Sequence, residues 1–169
     1  KNNKVVNTIG IINDITEKRN IKNALLESEA RLIEAQELAK VGHWEFDLDF
    51  TNVLWSKESF KIFGFEPDAG PPTTQDFFSV FHPEDRNMVK TNFENSINSN
   101  LLNCFEYKIT TPAGVEKTIE ERWKILRNEQ GQPLRAVGTY QDITARKKIE
   151  ESLNESKRFA LATLDALSA

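Results

Sequence analysis

One phrase occurs twice in this chain, and its two copies bound what lies between them. Displacing the sequence by 128 residues lays Gly10, Asp14, Ile15 and Thr16 of "GIINDITEKR" on Gly138, Asp142, Ile143 and Thr144 of "GTYQDITARK". The match continues from Ile21, Leu25, Glu27 and Ser28 to Ile149, Leu153, Glu155 and Ser156. Self-similarity at a fixed spacing marks repeated units, and a spacing this long is a whole domain rather than a solenoid turn. The reading is one complete unit at 41–144. The last strand and Asp-Ile-Thr motif of an earlier unit (1–16) and a coiled-coil linker helix (17–40) precede it. A second linker helix (145–169) leads on into a following unit, so the chain reads as a piece of a longer array.

The aromatic residues place the core. All three Trp, both Tyr and every Phe except Phe159 fall between Trp44 and Tyr140. Aromatic side chains bury the largest areas and dominate cores, so the packed domain is the middle of the chain. A net charge of -4 without a dense run of Lys and Arg gives no attraction to nucleic acid or anionic lipid. No apolar run approaches the ~20 residues needed to span a bilayer, and "KNNKVVNTIG" lacks the apolar stretch of a signal peptide. The segment is expected to be cytoplasmic and without direct membrane contact, within a parent that is soluble or membrane-anchored. The single cysteine, Cys104, suits a reducing compartment, and two isolated histidines, His43 and His82, make no metal site.

Both flanks carry a helical stripe. Ile21, Leu25, Ser28, Leu32, Ala35 and Ala39 alternate spacings of four and three, and Ile149, Leu153, Ser156, Ala160, Thr163 and Leu167 repeat the pattern. Small and polar members make this a weak seam. It suits a homodimer through the first helix, with Ile21, Leu25, Leu32, Ala35 and Ala39 as its contacts, or an amphipathic helix packed on its own domain.

Between the flanks, "VGHWEFDLD" alternates from Val41 to Asp49 with Trp44, Phe46 and Leu48 on one face, as a half-buried strand does. A second strand is expected from Asn52 to Trp55. Ser56 then caps a helix that Gly64 ends, and Thr73-Thr-Gln-Asp76 has the spacing of a capping box. Pro83, Glu84 and Asp85 open a longer helix, entered through His82. Three strands follow: Cys104 to Thr110, Val115 to Arg127, and a last one ending in the repeated motif. Strands clustered at both ends around helices imply an α+β domain with a single antiparallel sheet.

In this order the pieces resemble the PAS domain, in the subgroup whose last strand runs into a C-terminal PAS-associated motif. The resemblance rests on "GHWEFDL", "LWSKESFKIFGFEP", "FHPEDR", "FEYKI", "GVEKTIEERWKIL", "NEQGQPLRAVGTYQDIT" and "RKKIEESLNES", and covers 41–147 without a gap. It implies a five-stranded antiparallel sheet with short helices on one face, flanked by N- and C-terminal amphipathic signalling helices. It also implies a pocket between helices and sheet, whose candidate lining is Trp44, Phe46, Phe60, Phe63, Phe77 and Phe78, with Phe93, Phe105, Tyr107, Trp123 and Tyr140. The rings either fill this space or leave a small apolar site. No cofactor is identifiable, and a small apolar ligand is the open alternative. Haem is disfavoured because the helix from Pro83 to about Asn98 has no axial His. A flavin adduct is disfavoured because Cys104 starts the third strand and the Arg-Phe-Leu-Gln string of flavin-binding relatives is missing.

In "EER", Glu120 and Arg122 share a face opposite Trp123 and read as an exposed ion pair. The resemblance adds a second role, a charged neighbour that holds Asp142. Asp142, Ile143 and Thr144, with Glu120 and Arg122, are thus the candidate relay between sheet and outgoing helix, with Thr144 as its cap. His82 is expected to cap an amide with its ring. No nucleophile, acid/base pair or phosphate loop appears, so the fragment itself is read as non-catalytic. The resemblance implies a sensory or relay module beside further PAS or kinase domains, in a sensor histidine kinase of a two-component system. The alternatives are a PAS module of a cyclic-dinucleotide (GGDEF/EAL) protein, or a ligand-free spacer and dimerisation element.

Overall fold

The computed structural model describes residues 3–49, 51–99 and 101–167. The first two residues of the expected strand segment and the last two of the outgoing helix lie outside them. The chain divides into two units, ending and starting at Ala39 and Lys40.

The first unit is one helix, α1 (Asn3–Ala39). The strand expected within 1–16 is therefore corrected: from Asn3 onward this segment is helical. A strand must pair to satisfy its N–H and C=O groups, and the sheet described below takes no strand from it; a helix satisfies them within the segment. The stripe residues Ile21, Leu25 and Leu32 are 62%, 57% and 61% exposed.

The second unit is the α+β domain. Its strands are β1 (Val41–Asp47), β2 (Val53–Trp55), β3 (Asn103–Thr110), β4 (Glu116–Arg127) and β5 (Pro133–Asp142). Between β2 and β3 stand α2 (Lys57–Phe63), a 3₁₀ turn (Pro67–Ala69), α3 (Thr74–Ser79) and α4 (Pro83–Ser96), and α5 (Thr144–Leu167) leaves at the end. All pairings are antiparallel in the order β2-β1-β5-β4-β3, so the last strand lies at the centre of the sheet.

Local chemistry sets the helix ends. Ser56 accepts from the Ser59 amide at the start of α2. Gly64 ends the helix at φ +77°, a left-handed conformation that glycine adopts without steric cost, and donates its N–H to Phe60. Thr73 Oγ1 accepts from the Asp76 amide at 3.1 Å and donates to the Asp76 carboxylate at 2.6 Å. His82 does stand at the N-cap of α4, but its ring makes no capping bond. The reason is that its own backbone carbonyl already receives the Asp85 and Arg86 amides, and Pro83 has none to offer.

One face of the sheet packs on α2, α3 and α4. Alternation along β4 turns Ile119, Glu121, Trp123 and Ile125 inward, where they meet Trp44, Ala136 and Tyr140 from the neighbouring strands. Ile62 and Phe63 of α2, Val89 of α4, and Val80 and Phe81 of the link between α3 and α4 close the core from the helical side. Among the described residues no helix is long and apolar enough to cross a membrane, and no group of three His, Cys, Asp or Glu is placed to hold a metal.

Candidate functional site: an aromatic cavity and a charged joint

The strand register lays the inner face out in rows. In one row Trp44 of β1, Gly138 of β5 and Trp123 of β4 stand side by side; in the next, Gly42, Tyr140, Glu121 and Phe105 do. Trp44 stacks on Phe46 with centroids 5.0 Å apart, and Trp55 meets Tyr140 and Phe77 edge to face at 5.7 and 5.8 Å. These rings and the helices enclose a cavity of about 440 Å³, within the range of small-molecule sites. Its buried lining is Trp44, Val89, Glu121, Trp123 and Tyr140; half-buried Phe46, Trp55, Phe77, Phe78 and Phe93 form the walls, and exposed Thr74, Lys90 and Glu94 the rim.

Of the lining read from sequence, Trp44, Phe46, Phe77, Phe78, Phe93, Trp123 and Tyr140 do border this cavity. Phe60, Phe63, Phe105 and Tyr107 do not. Phe63 is fully buried and packs edge to face on Tyr140 at 4.7 Å, and Tyr107 packs on Phe81 at 4.6 Å. Those two rings are core. Phe60 sits edge to face against Trp55, behind the wall. Phe105 borders a second, shallower cleft between α4 and β3, which also holds exposed Cys104.

Sequence reading missed the one acidic group of the cavity's buried lining. Glu121 is 7% exposed and stands among the rings. Burial pushes its carboxyl up to about 8, and the nearby Tyr107 and Tyr140 hydroxyls offset only part of that. The same burial, with the charge of Glu121 beside them, pushes both phenols well above their ordinary range. Trp44 Nε1 is buried without a hydrogen-bond partner among the described residues. The parity of Ile119, Glu121, Trp123 and Ile125 carries the signal that could have found Glu121.

Trp123 is anchored differently. Its Nε1 donates to Ser96 Oγ at 2.8 Å in a buried bond, and that hydroxyl donates to the Phe93 carbonyl at 2.7 Å. Ser96→Ala leaves a buried indole N–H unpaired and is expected to cost about 2 kcal/mol of stability. Urea unfolding checks this; a loss below ~0.5 kcal/mol would mean that the indole finds another acceptor.

On the opposite face lies the joint with α5. Asp142 Oδ1 accepts from the Thr144 amide at 3.0 Å and from its hydroxyl at 2.6 Å. Thr144 Oγ1 in turn accepts from the Thr118 amide of β4 at 2.9 Å. Thr144 is thus the first residue of the helix rather than its cap, because its hydroxyl is engaged by Asp142 and β4, and Asp142 satisfies its N–H. Ile143 is buried, and its amide donates to Thr118 O at 2.9 Å. The charged neighbour of Asp142 is Lys117 of β4, at 3.7 Å.

Glu120 and Arg122 have a different task from the one expected. They do pair, at 2.8 Å, but Glu120 also receives Arg146 of α5 at 3.0 Å. Burial raises the Glu120 carboxyl, and the hydrogen bonds from Arg146 and Arg122 outweigh it and hold the group below its ordinary value. Glu106 of β3 receives Lys147 at 2.5 Å and Arg146 at 3.6 Å. The expected exposed ion pair is therefore corrected to a network with a buried carboxylate at its centre, tying the first turn of α5 to two strands.

The sheet, its register and the exit helix define a class, and comparison with known proteins names it. The family model described as the PAS fold matches residues 52–140, and the chain belongs to that family. It is homologous to PAS domains of sensor proteins. The "Probable diguanylate cyclase DgcE" of Escherichia coli K12 is 26% identical over 159 residues, covering 94% of this chain and 14% of that protein. A "Blue-light-activated histidine kinase" of Brucella ovis is 29% identical over 134 residues, covering 79% of this chain and 26% of that protein. Among solved structures, a sensory box histidine kinase/response regulator from Burkholderia thailandensis superposes with a TM-score of 0.63 at 28% identity, over 78% of this chain and 98% of that one. The chain therefore spans a small fraction of the curated relatives it matches.

Proposed function

We propose that this chain is a sensory relay module of a multidomain signalling protein, most economically a sensor histidine kinase of a two-component system, and that it couples events in the cavity to α5. The observation that carries the proposal is a pair of adjacent residues on β4. Glu121 stands in the cavity on one face of the sheet, and Glu120 holds Arg146 of α5 on the other. A ligand or upstream strain that shifts β4 by a fraction of an ångström moves both, and a helix held by charged bonds at its first turn responds. The exposed Ile21, Leu25 and Leu32 of α1 support a two-chain seam through which two copies respond together. Cys104 lies outside the cavity lining, which favours a mode of sensing other than a flavin–cysteine adduct.

A cyclic-dinucleotide output is a second reading, favoured by the extent of the likeness to the Escherichia coli protein, which takes in both flanking helices. Either output is tested at the same residue. Asp142→Ala removes the acceptor of the Thr144 amide and hydroxyl, which is expected to cost only about 1 kcal/mol of stability while uncoupling input from output in the full-length protein. Unchanged signalling by a folded variant refutes the relay. The spacer reading predicts that unchanged result.

A further inference from the structure

The ionisable groups lining the cavity do not all find partners. Lys90 and Glu94 on the rim face each other at 3.9 Å and offset one another. Glu121, on the buried side, has no Lys, Arg or His paired with it among the described residues. Arg122, its neighbour in sequence, and Arg146 of α5 lie on the other face and are engaged by Glu120. The other titratable groups facing Glu121 are Tyr107 from β3 and Tyr140 from β5; β1, β2 and α3 line the cavity with apolar side chains and Thr74 alone.

What such a space would take follows from its walls. Ring faces carry negative quadrupole charge and attract cations, most strongly where water is excluded. An anionic ligand would meet ring faces and a carboxyl together, both unfavourable to it. A wholly apolar ligand would seal Glu121 away from water and give it nothing in return. We infer that the cavity binds a small organic cation, an ammonium or amidinium group on a flat apolar body, with Glu121 as counter-ion and the rings as walls. This rests on the reading of the cavity as the input site of the module. The raised carboxyl agrees with it: a cation placed against Glu121 supplies the interaction whose lack keeps the group protonated.

All three tryptophans line the cavity, so intrinsic fluorescence reports its occupancy directly. The test titrates the 169-residue chain with four probes of one shape: 2-phenylethylammonium, its N,N,N-trimethyl form, 3-phenylpropionamide and 3-phenylpropionate. Above about pH 8, where Glu121 is ionised, both cations are expected to bind at least about tenfold more tightly than the amide or the carboxylate, and Glu121→Gln, which is nearly isosteric, to abolish that preference. For the trimethylammonium probe, whose charge is fixed, affinity rises about tenfold per pH unit below about 8 and levels off above it, because binding requires Glu121 to ionise. Tighter binding of the amide or carboxylate, a preference that survives Glu121→Gln, or no binding by any probe overturns the inference. Those outcomes leave the relay standing, since its own test reads signalling through Asp142. Cation binding with intact signalling in Asp142→Ala would overturn the relay alone.

Discussion

Gly138→Ala is expected to destabilise the domain strongly, although it adds one methyl group. The new Cβ would stand 2.6 Å from the Arg122 carbonyl oxygen and 2.6 Å from two carbons of the Trp44 indole. Neither neighbour can yield. The carbonyl belongs to the interior of β4, which is paired on both sides, and Trp44 is 1% exposed with Phe46 and Tyr140 stacked on it. Overpacking of this kind costs about 3 kcal/mol or more, which for a domain of this size lowers the melting temperature by roughly 10 °C or more. Thermal unfolding beside a Thr139→Ala control measures it, and a variant melting within ~2 °C of the parent would show that the Trp44–Gly138 contact is looser than described.

Glu121→Gln should act in the opposite direction and only above a certain pH. In the folded chain the carboxyl keeps its proton up to about 8, whereas in the unfolded chain it releases it near the ordinary 4.5. Between those values the folded state binds more protons, so stability falls as pH rises through the window and is level above it. The full contribution is present below the ordinary value. The span corresponds to roughly 5 kcal/mol as a ceiling. Glutamine cannot ionise, so the variant's stability should be nearly flat from pH 5 to pH 8 and exceed that of the parent by several kcal/mol at the upper end. Urea unfolding across this range decides it. Parallel profiles for parent and variant would mean that Glu121 reaches water when charged.

Much of this architecture was legible because each strand announces its inward face. Trp44 with Phe46, Tyr107 with Ile109, and Trp123 with Ile125 are alternating pairs, and turn and cap residues such as Ser56 and Gly64 fix where elements stop. The division of inward residues between solid core and cavity wall was not legible. Phe63 and Phe77 look alike in sequence, yet one is sealed against Tyr140 and the other borders empty space, because that depends on how α2 and α3 lie over the sheet. Glu121 was overlooked for a related reason. In a Glu-Glu-Arg run charge suggests solvent, and only parity with Trp123 reveals that one of the two carboxyls must point in. The helical state of residues 3–16 was misread because a strand-like phrase fixes conformation only where a partner strand is present.

The strand order has a consequence for how the molecule is made. β1 and β2 emerge early in synthesis, yet the central partner of β1 is β5, and the Trp44–Gly138 pairing joins opposite ends of the domain. Until β5 is complete the nascent chain can hold only two separate ribbons, β1 with β2 and β3 with β4, and closing so long a loop is the entropic step that sets the pace. β5, which ends at Asp142, must therefore be made before the sheet can join. A chain shortened by even that one strand would leave two sticky half-sheets with bare edges.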